Sequence, residues 1–255
     1  FKQKPAYEIR LSLVGSEMCI RDRFNAMTGF DREDLAMPLI SEDLQLIVRD
    51  TKLDNRRFGV LRTYSNDALY GRALDLLSQN GFSLQEVDFQ SERHARFSEL
   101  LGAEMKRDLA LYLIEYASSE IEVDSINSLQ EFNSIDLENR APYGQALVDL
   151  MVDLELTAGE VGRLGADLRA WGQSYLDRLF MEFGIDVLFG VNNHQASIAA
   201  LANYPALTIP MGYTDEGRPM GLTLIAPPFQ EQLLIDAGIQ VEKILEARRA
   251  PISYR

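Results

Sequence analysis

Two short stretches carry residue types that could do chemistry. The first, "EYASSEIE" (115–122), holds the only adjacent serine pair in the chain, Ser118-Ser119, with Lys52 upstream of it. The second, "GVNNHQ" (190–195), sets Asn192 and Asn193 beside His194, one of two histidines. A serine hydroxyl is protonated at neutral pH, so it attacks a carbonyl only where a neighbour takes its proton. A carboxamide donates and accepts at once, which suits Asn192 and Asn193 to bonding a substrate amide or carbonyl.

Each stretch also has a plainer reading. Ser118-Ser119 ends a helical pattern, has no glycine around it, and precedes Glu120 and Glu122. Negative charge there opposes an oxyanion, so the hydroxyls are read as bonding a helix terminus. One asparagine of the pair is expected to cap a helix beginning near His194, with substrate contact as the alternative. His94, in "SERHAR", reads as a solvated helix residue. Trp171 and the helically spaced phenylalanines read as core. Asp34, Glu42 and Asp43 form no metal spacing, and neither a P-loop nor GxGxxG occurs, so no metal or cofactor is expected.

The 255 residues carry a net charge of −14. An acidic chain without basic runs argues against nucleic acid and against an anionic membrane. No apolar run reaches the length of a bilayer span. Residues 1–23 stand apart from the rest. "KQKPAYEIR" and "LVGSEMCIRD" resemble translations of the two constant parts of a sequencing-library adapter, and "SLVGSEMCIRDR" (12–23) shows neither strand alternation nor a helical stripe. The segment is expected to be an adapter-derived artefact. It holds five basic and three acidic side chains, so the remainder is near −16, and it holds the only cysteine, Cys19. Without that cysteine, a disulfide scaffold, a thiol nucleophile and Cys-ligated metal all drop out. A cytoplasmic location is expected.

From Phe24 onward, helix and strand patterns alternate. "FNAMTGFDREDLAMP" predicts the end of a helix running into a polar loop, and 38–55 the one long connector. "RRFGVLRTY" (56–64) predicts a strand, "DALYGRALDLLSQNG" (67–81) a helix stopped at Asn80-Gly81, and "FSLQEVDF" (82–89) a second strand: a βαβ unit with parallel neighbours. A long helix over 91–118 shows a stripe of Leu101, Met105, Leu109 and Leu113 suited to packing on a sheet. "SINSLQEFN" predicts a short helix capped by Ser125 or Ser128. Helices follow at 143–155 and 158–183, the latter with Leu176, Leu179, Phe180 and Phe183 on one face and Gly184 as its stop. "IDVLFG" (185–190) reads as a buried strand and "QASIAALAN" as a small-residue helix. "ALTIPMGY" and "PMGLTLIAPP" read as strands joined antiparallel through "TDEGR", and the closing amphipathic helix is "FQEQLLIDAGIQVEKILEARR".

These last segments carry a resemblance. "FGIDVLFG" followed by "ALANYPALTIPMGYTDEGRPMGLTLIAPPFQEQLLIDAGIQVEKI" resembles the C-terminal part of the amidase signature family of serine hydrolases. The likeness rests on Tyr204-Pro205 entering "IPMGY" and on Gly217-Arg218-Pro219-Met220-Gly221-Leu222 leading to "PPFQEQLLI". It extends upstream through "LQEFN" (129–133) with "YGQ" (143–145), and through "NAMTGFDREDLAM" with "FGVLRTY". The combination of "EFN" with "YGQ" is closer to bacterial small-amide and peptide-amide hydrolases than to the transamidosome subunit of this family.

The resemblance implies an α/β fold: a partial α/β/α sandwich of the amidase signature type with a mixed, mostly parallel sheet. Residues 24–255 would form the C-terminal part of a single amidase domain. It implies hydrolysis of the C–N bond of a small-molecule or peptide-terminal amide, without metal or cofactor, by a serine whose proton passes through a second serine to a neutral lysine. That machinery lies in the family's N-terminal half. After residue 23 the chain has only Lys52, Lys106 and Lys243, none before a Gly/Ser-rich segment. The chain is therefore expected to be a fragment with no catalytic residue and no activity of its own. Substrate-binding candidates are Asn192, Asn193, Tyr143 and Gln145, the last two either facing a cleft or supporting a helix start. The family needs no histidine base, which sets His194 aside in that role; its presence departs from the small or proline residues usual after this strand. Expected partners are an amide substrate, with a homodimer left open, and no nucleic acid and no membrane. The competing reading is a non-catalytic α/β ligand-binding or interaction module.

Overall fold

A computed structural model describes residues 17–29, 45–48, 51–89 and 96–249. They fall into two compact units, one built from residues 1–91 and 173–255 and the other from 92–172. The proposed adapter segment lies outside the described residues up to position 16. From Glu17 to Met27 the chain forms helix α1, although no helical stripe predicts one over 12–23. Its C-terminal end anchors it: Phe24 packs against the core, and the Asn25 carboxamide bonds both the N–H and the C=O of Leu46 at 2.8 and 2.7 Å.

In the first unit, β1 (Arg57–Leu61), α2 (Ala68–Gln79) and β2 (Ser83–Val87) form the expected βαβ unit, with β1 and β2 parallel. Asp67 starts α2 by accepting from the N–H groups of Leu69 and Tyr70 at 3.0 and 2.9 Å, satisfying two donors that an α-helix leaves open. Asn80 ends it, and Gly81 turns the chain at φ +90°. A single 3-10 turn, Arg62–Tyr64, replaces the last residues of the predicted first strand. Further along come β3 (Val187–Val191), the short helix at Ala196–Ala202, β4 (Ala206–Tyr213) and β5 (Pro219–Ile225). The order in the sheet is β2-β1-β3-β5-β4. β1 pairs parallel with β3, whereas β3 with β5 and β4 with β5 are antiparallel. The sheet is mixed as expected, but its parallel pairings are confined to one half. The β4–β5 hairpin turns through the Thr214 and Gly217 bonds, with Gly217 at φ +83°.

Side chains leave a strand alternately to its two faces, and both faces are covered. Phe58, Val60, Val187, Phe189, Leu222 and Leu224 meet residues of α2, such as Tyr70 and Leu77, and of the closing helix Glu231–Leu245. On the opposite face Leu61, Val87, Leu188 and Ile225 meet Leu176, Leu179 and Phe180, with Ala199 and Ala202 of the short helix. Phe183 packs partly against the same cluster, as the predicted stripe requires. Gly59 is needed here, since a Cβ would lie 2.5 Å from Ile185 Cδ1. These are the layers of an α/β/α sandwich. Two buried tyrosines tie it together. The Tyr70 hydroxyl accepts from the Leu61 N–H at 3.0 Å and donates to the Phe189 carbonyl at 2.9 Å, joining β1 to β3. Tyr204 donates to Asp177 on the other face. Burial is the main cause holding both hydroxyls protonated well above the usual tyrosine range.

The second unit is helical: α3 (Phe97–Tyr116), α4 (Ile126–Ser134), α5 (Leu137–Arg140), α6 (Ala146–Val152) and the beginning of α7 (Ala158–Phe183), which runs on into the first unit. Numbering onward, the short helix at Ala196–Ala202 is α8 and the closing helix α9. Ser125 caps α4, with Ser128 returning the bond in a capping box. Lys106 donates to the carbonyls of Val152 and Leu154, both at 2.9 Å, at the end of α6. The apolar stripe expected on α3 is not the buried one. Phe97, Leu100, Gly102 and Ala103 are buried, while Leu101 and Met105 are exposed. Gly102 explains the choice: a Cβ there would lie 2.7 Å from Leu154 Cδ1, so the backbone itself is the contact. The last two turns of α3 leave Leu111, Tyr112, Ile114 and Tyr116 exposed, Ile114 at 77%.

Tyr70→Phe should lower stability by about 1–3 kcal/mol in urea unfolding, because the Leu61 N–H and Phe189 carbonyl lose a buried partner while the ring still fills its place.

Candidate functional site

The sheet has a switch point. From β1 the chain passes over one face to β2, and from β3 over the other face to β4 at the far edge, while β1 and β3 lie side by side and parallel. Open α/β sheets leave a crevice outside the carboxyl ends of such strands, and ligands bind there. Two segments emerge at that edge: the 3-10 turn ending in Tyr64, and the loop 192–195 leading into α8.

Asn192 is committed to architecture. Its backbone turns through φ +50°, its N–H donates to the Gly221 carbonyl, and its side-chain Oδ1 accepts from the Gly221 N–H, both at 2.8 Å. The Asn192 carbonyl accepts from the Thr223 hydroxyl, so the Thr208 hydroxyl, 2.8 Å from Thr223 Oγ1, is the donor in that pair. Gly221 is needed for the β4 side of this corner, because a Cβ there would lie 2.6 Å from Thr208 Cγ2. Asn193 is exposed, and its carbonyl accepts from the Ala196 N–H at 3.1 Å. Neither asparagine caps the helix. α8 starts at Ala196, with Gln195 in the cap position and no side-chain capping bond. The short carboxamide of Asn192 is already turned toward β5, and that bond wins over the cap.

A second polar cluster at this edge involves residues whose sequence context gives little warning. Tyr64 Oη lies 2.8 Å from His194 Nδ1, and Gln195 Nε2 donates to the same oxygen at 3.1 Å. The Tyr64 and His194 rings sit 5.4 Å apart, and Tyr64 also meets Tyr70 edge-on at 6.0 Å. Gln195 is 2% exposed, and its Oε1 has no hydrogen-bond partner among the described residues. That oxygen faces Gly190, where a Cβ would lie only 2.4 Å away. The one legible signal is Gly190 itself, a glycine interrupting a buried apolar strand, which marks close approach.

Tyr143 and Gln145 stand in the second unit. Tyr143 is fully exposed. Gln145 precedes α6 without capping it; its Nε2 is 3.4 Å from Ser134 Oγ and its Oε1 is buried without a partner among the described residues. Ser118 behaves as a helix terminus, its hydroxyl accepting from the Glu120 N–H at 3.3 Å, and Ser119 is exposed. His94 lies outside the described residues. Among the described residues no group of three potential metal ligands converges, and no helix is long and apolar enough to cross a membrane.

No family model matches the chain. Its curated relatives are glutamyl-tRNA(Gln) amidotransferase A subunits and proteins named as amidases, the membership of the amidase signature family. The A subunit of Sphingopyxis alaskensis is 27% identical over 161 residues, covering 62% of this chain and 29% of that protein. Across the first relatives the matched share of their own length runs from 9% to 35%. Two solved structures share the fold over 92% of this chain: an amidase family protein of Bacillus anthracis, with a TM-score of 0.79, and the peptide amidase of Stenotrophomonas maltophilia, with 0.73. Both are 23% identical to it, and the chain covers 48% and 53% of them.

The two asparagines should respond differently to truncation. Asn192→Ala should cost about 1–3 kcal/mol, from an unpaired Gly221 N–H and a left-handed backbone that alanine resists. Asn193→Ala should stay within about 0.5 kcal/mol. Thermal unfolding of both variants measures the contrast.

Proposed function

We propose that this chain, whose homologues are the amidases and amidotransferase A subunits of the amidase signature family, is the C-terminal part of an amidase. That enzyme hydrolyses the C–N bond of a small-molecule or peptide-terminal amide with water. The observation that carries the reading is the polar edge at the switch point. There Asn193 and His194 stand exposed on a loop pinned from behind by Asn192 and Tyr64, in a fold shared over most of the chain with amidases. In this reading the edge is one wall of the substrate cleft. Asn193 bonds the substrate carboxamide, and Asn192 holds the loop through Gly221.

Residues 24–255 supply no nucleophile in this reading. An amide carbonyl needs an activated hydroxyl and donors for the developing oxyanion. Ser118 and Ser119, at the end of α3 beside Glu120, offer neither. The exposed apolar end of α3 supports the same view. A helix apolar all round is normally covered, and the matched solved structures contain about as much polypeptide again as this chain spans. We assign that cover to the rest of an amidase-type chain.

The purified 255-residue chain should release no ammonia from acetamide or from N-acetylated amino-acid amides. Saturable turnover lost in Ser119→Ala would refute the missing-nucleophile reading. The chain should also brighten a hydrophobic dye at native temperature, and the double substitution Ile114→Glu, Tyr116→Glu should remove most of that signal. A dark, cooperatively unfolding chain would instead favour a self-contained binding module.

A further inference from the structure

We infer that His194 is a fixed hydrogen-bond donor to a ligand carbonyl oxygen, held in that state by Tyr64 and Gln195 as positioning residues. The inference rests on the amidase reading for the ligand and on geometry for the rest. Tyr64 Oη has one proton and meets two side chains. Gln195 Nε2 donates to it at 3.1 Å, which leaves its own proton for His194 Nδ1 at 2.8 Å, and we assign the donation in that direction. A neutral imidazole that accepts at Nδ1 carries its proton at Nε2.

The direction of this relay depends on which way the Gln195 carboxamide points, and Gly190 decides it. The outer atom of that carboxamide is buried and faces the position where a Gly190 Cβ would stand, 2.4 Å away. A glycine places a C–H there. An oxygen tolerates a C–H as a weak donor, whereas an NH2 group turned the same way would bury two donors with nothing to accept them. The carboxamide therefore keeps its nitrogen toward Tyr64, and the chain of bonds runs from Gln195 to Tyr64 to His194.

The consequence is chemical. His194 is exposed, and the nitrogen it turns outward bears a proton, so it donates to a ligand oxygen and does not serve as the base for a nucleophile. The exposed Asn193 carboxamide beside it offers a second donor. With a net charge of −14 on the chain, a neutral carboxamide carbonyl is favoured over a carboxylate.

The test uses the full chain labelled with nitrogen-15 histidine, at a pH where the ring is neutral. Long-range proton–nitrogen spectra should show His194 as the Nε2–H tautomer, with a slowly exchanging Tyr64 hydroxyl proton that disappears in Tyr64→Phe. An Nδ1–H tautomer would overturn the inference. Acetamide, acetate and methylammonium are then titrated separately. Acetamide should shift the Nε2–H resonance saturably; His194→Gln, which keeps a donor in that place, should retain acetamide binding, and His194→Phe should lose it. No acetamide response, an acetate response alone, or binding unchanged in His194→Phe would each sink the assignment. None of these readouts requires turnover, so failure of the amidase reading shows separately as an absence of hydrolysis by any longer form of the enzyme.

Discussion

The first unit depends on one constraint: β1 and β3 must end together, and a buried hydroxyl enforces it. Tyr70, on α2, reaches across both strands to bond the Leu61 N–H and the Phe189 carbonyl. Regular parallel pairing is described from Phe58 to Val60 against Val187 to Phe189. The tyrosine continues the pairing where the strands begin to diverge, and it does so away from water, where a lost partner costs most. Tyr64 packs edge-on against the same ring, so the residue that organises the polar edge is positioned by the residue that closes the strands.

The polar edge shows a division of labour between adjacent residues. Asn192 and Gln195 turn inward, one clasping β5 and the other reaching Tyr64, while Asn193 and His194 between them turn outward. Of four consecutive polar residues, the outer two thus hold the loop and the inner two are presented by it. Glycines flank both anchors: Gly221 makes room for Thr208 beside the Asn192 clasp, and Gly190 makes room for Gln195. A loop that presents hydrogen-bonding groups needs such support, because recognition through them tolerates little displacement of the donor.

Much of this architecture is legible in the sequence wherever a local rule decides the outcome. The βαβ unit follows from Asp67 before the helix and Asn80-Gly81 after it, and the β4–β5 hairpin from the short polar turn between two apolar runs. The buried face of α7 falls at Leu176, Leu179 and Phe180, where its spacing puts it. The readings that differ turn on partners remote in sequence. The stripe Leu101–Met105 is as apolar as the face that is buried, and only the approach of Leu154 to Gly102 selects between them. Asn192 is a competent capping residue, but Gly221, 29 positions away, takes its side chain. Tyr64 and Gln195 meet across 131 positions, a distance over which periodicity says nothing. Of the candidate site, then, the position of the loop is readable; the separate roles of its residues are not.

The pairing of β1 with β3 also brings together residues far apart in the chain: Asp186 accepts from the Arg57 N–H at 2.8 Å across 129 positions. The whole helical unit, residues 92–172, lies on the excursion between those two strands. The entropy of closing such an excursion grows only with the logarithm of its length, so even a doubling costs about 0.6 kcal/mol. Evolution can therefore lengthen, shorten or rebuild that helical excursion almost freely, while the strand ends it departs from and returns to stay in register.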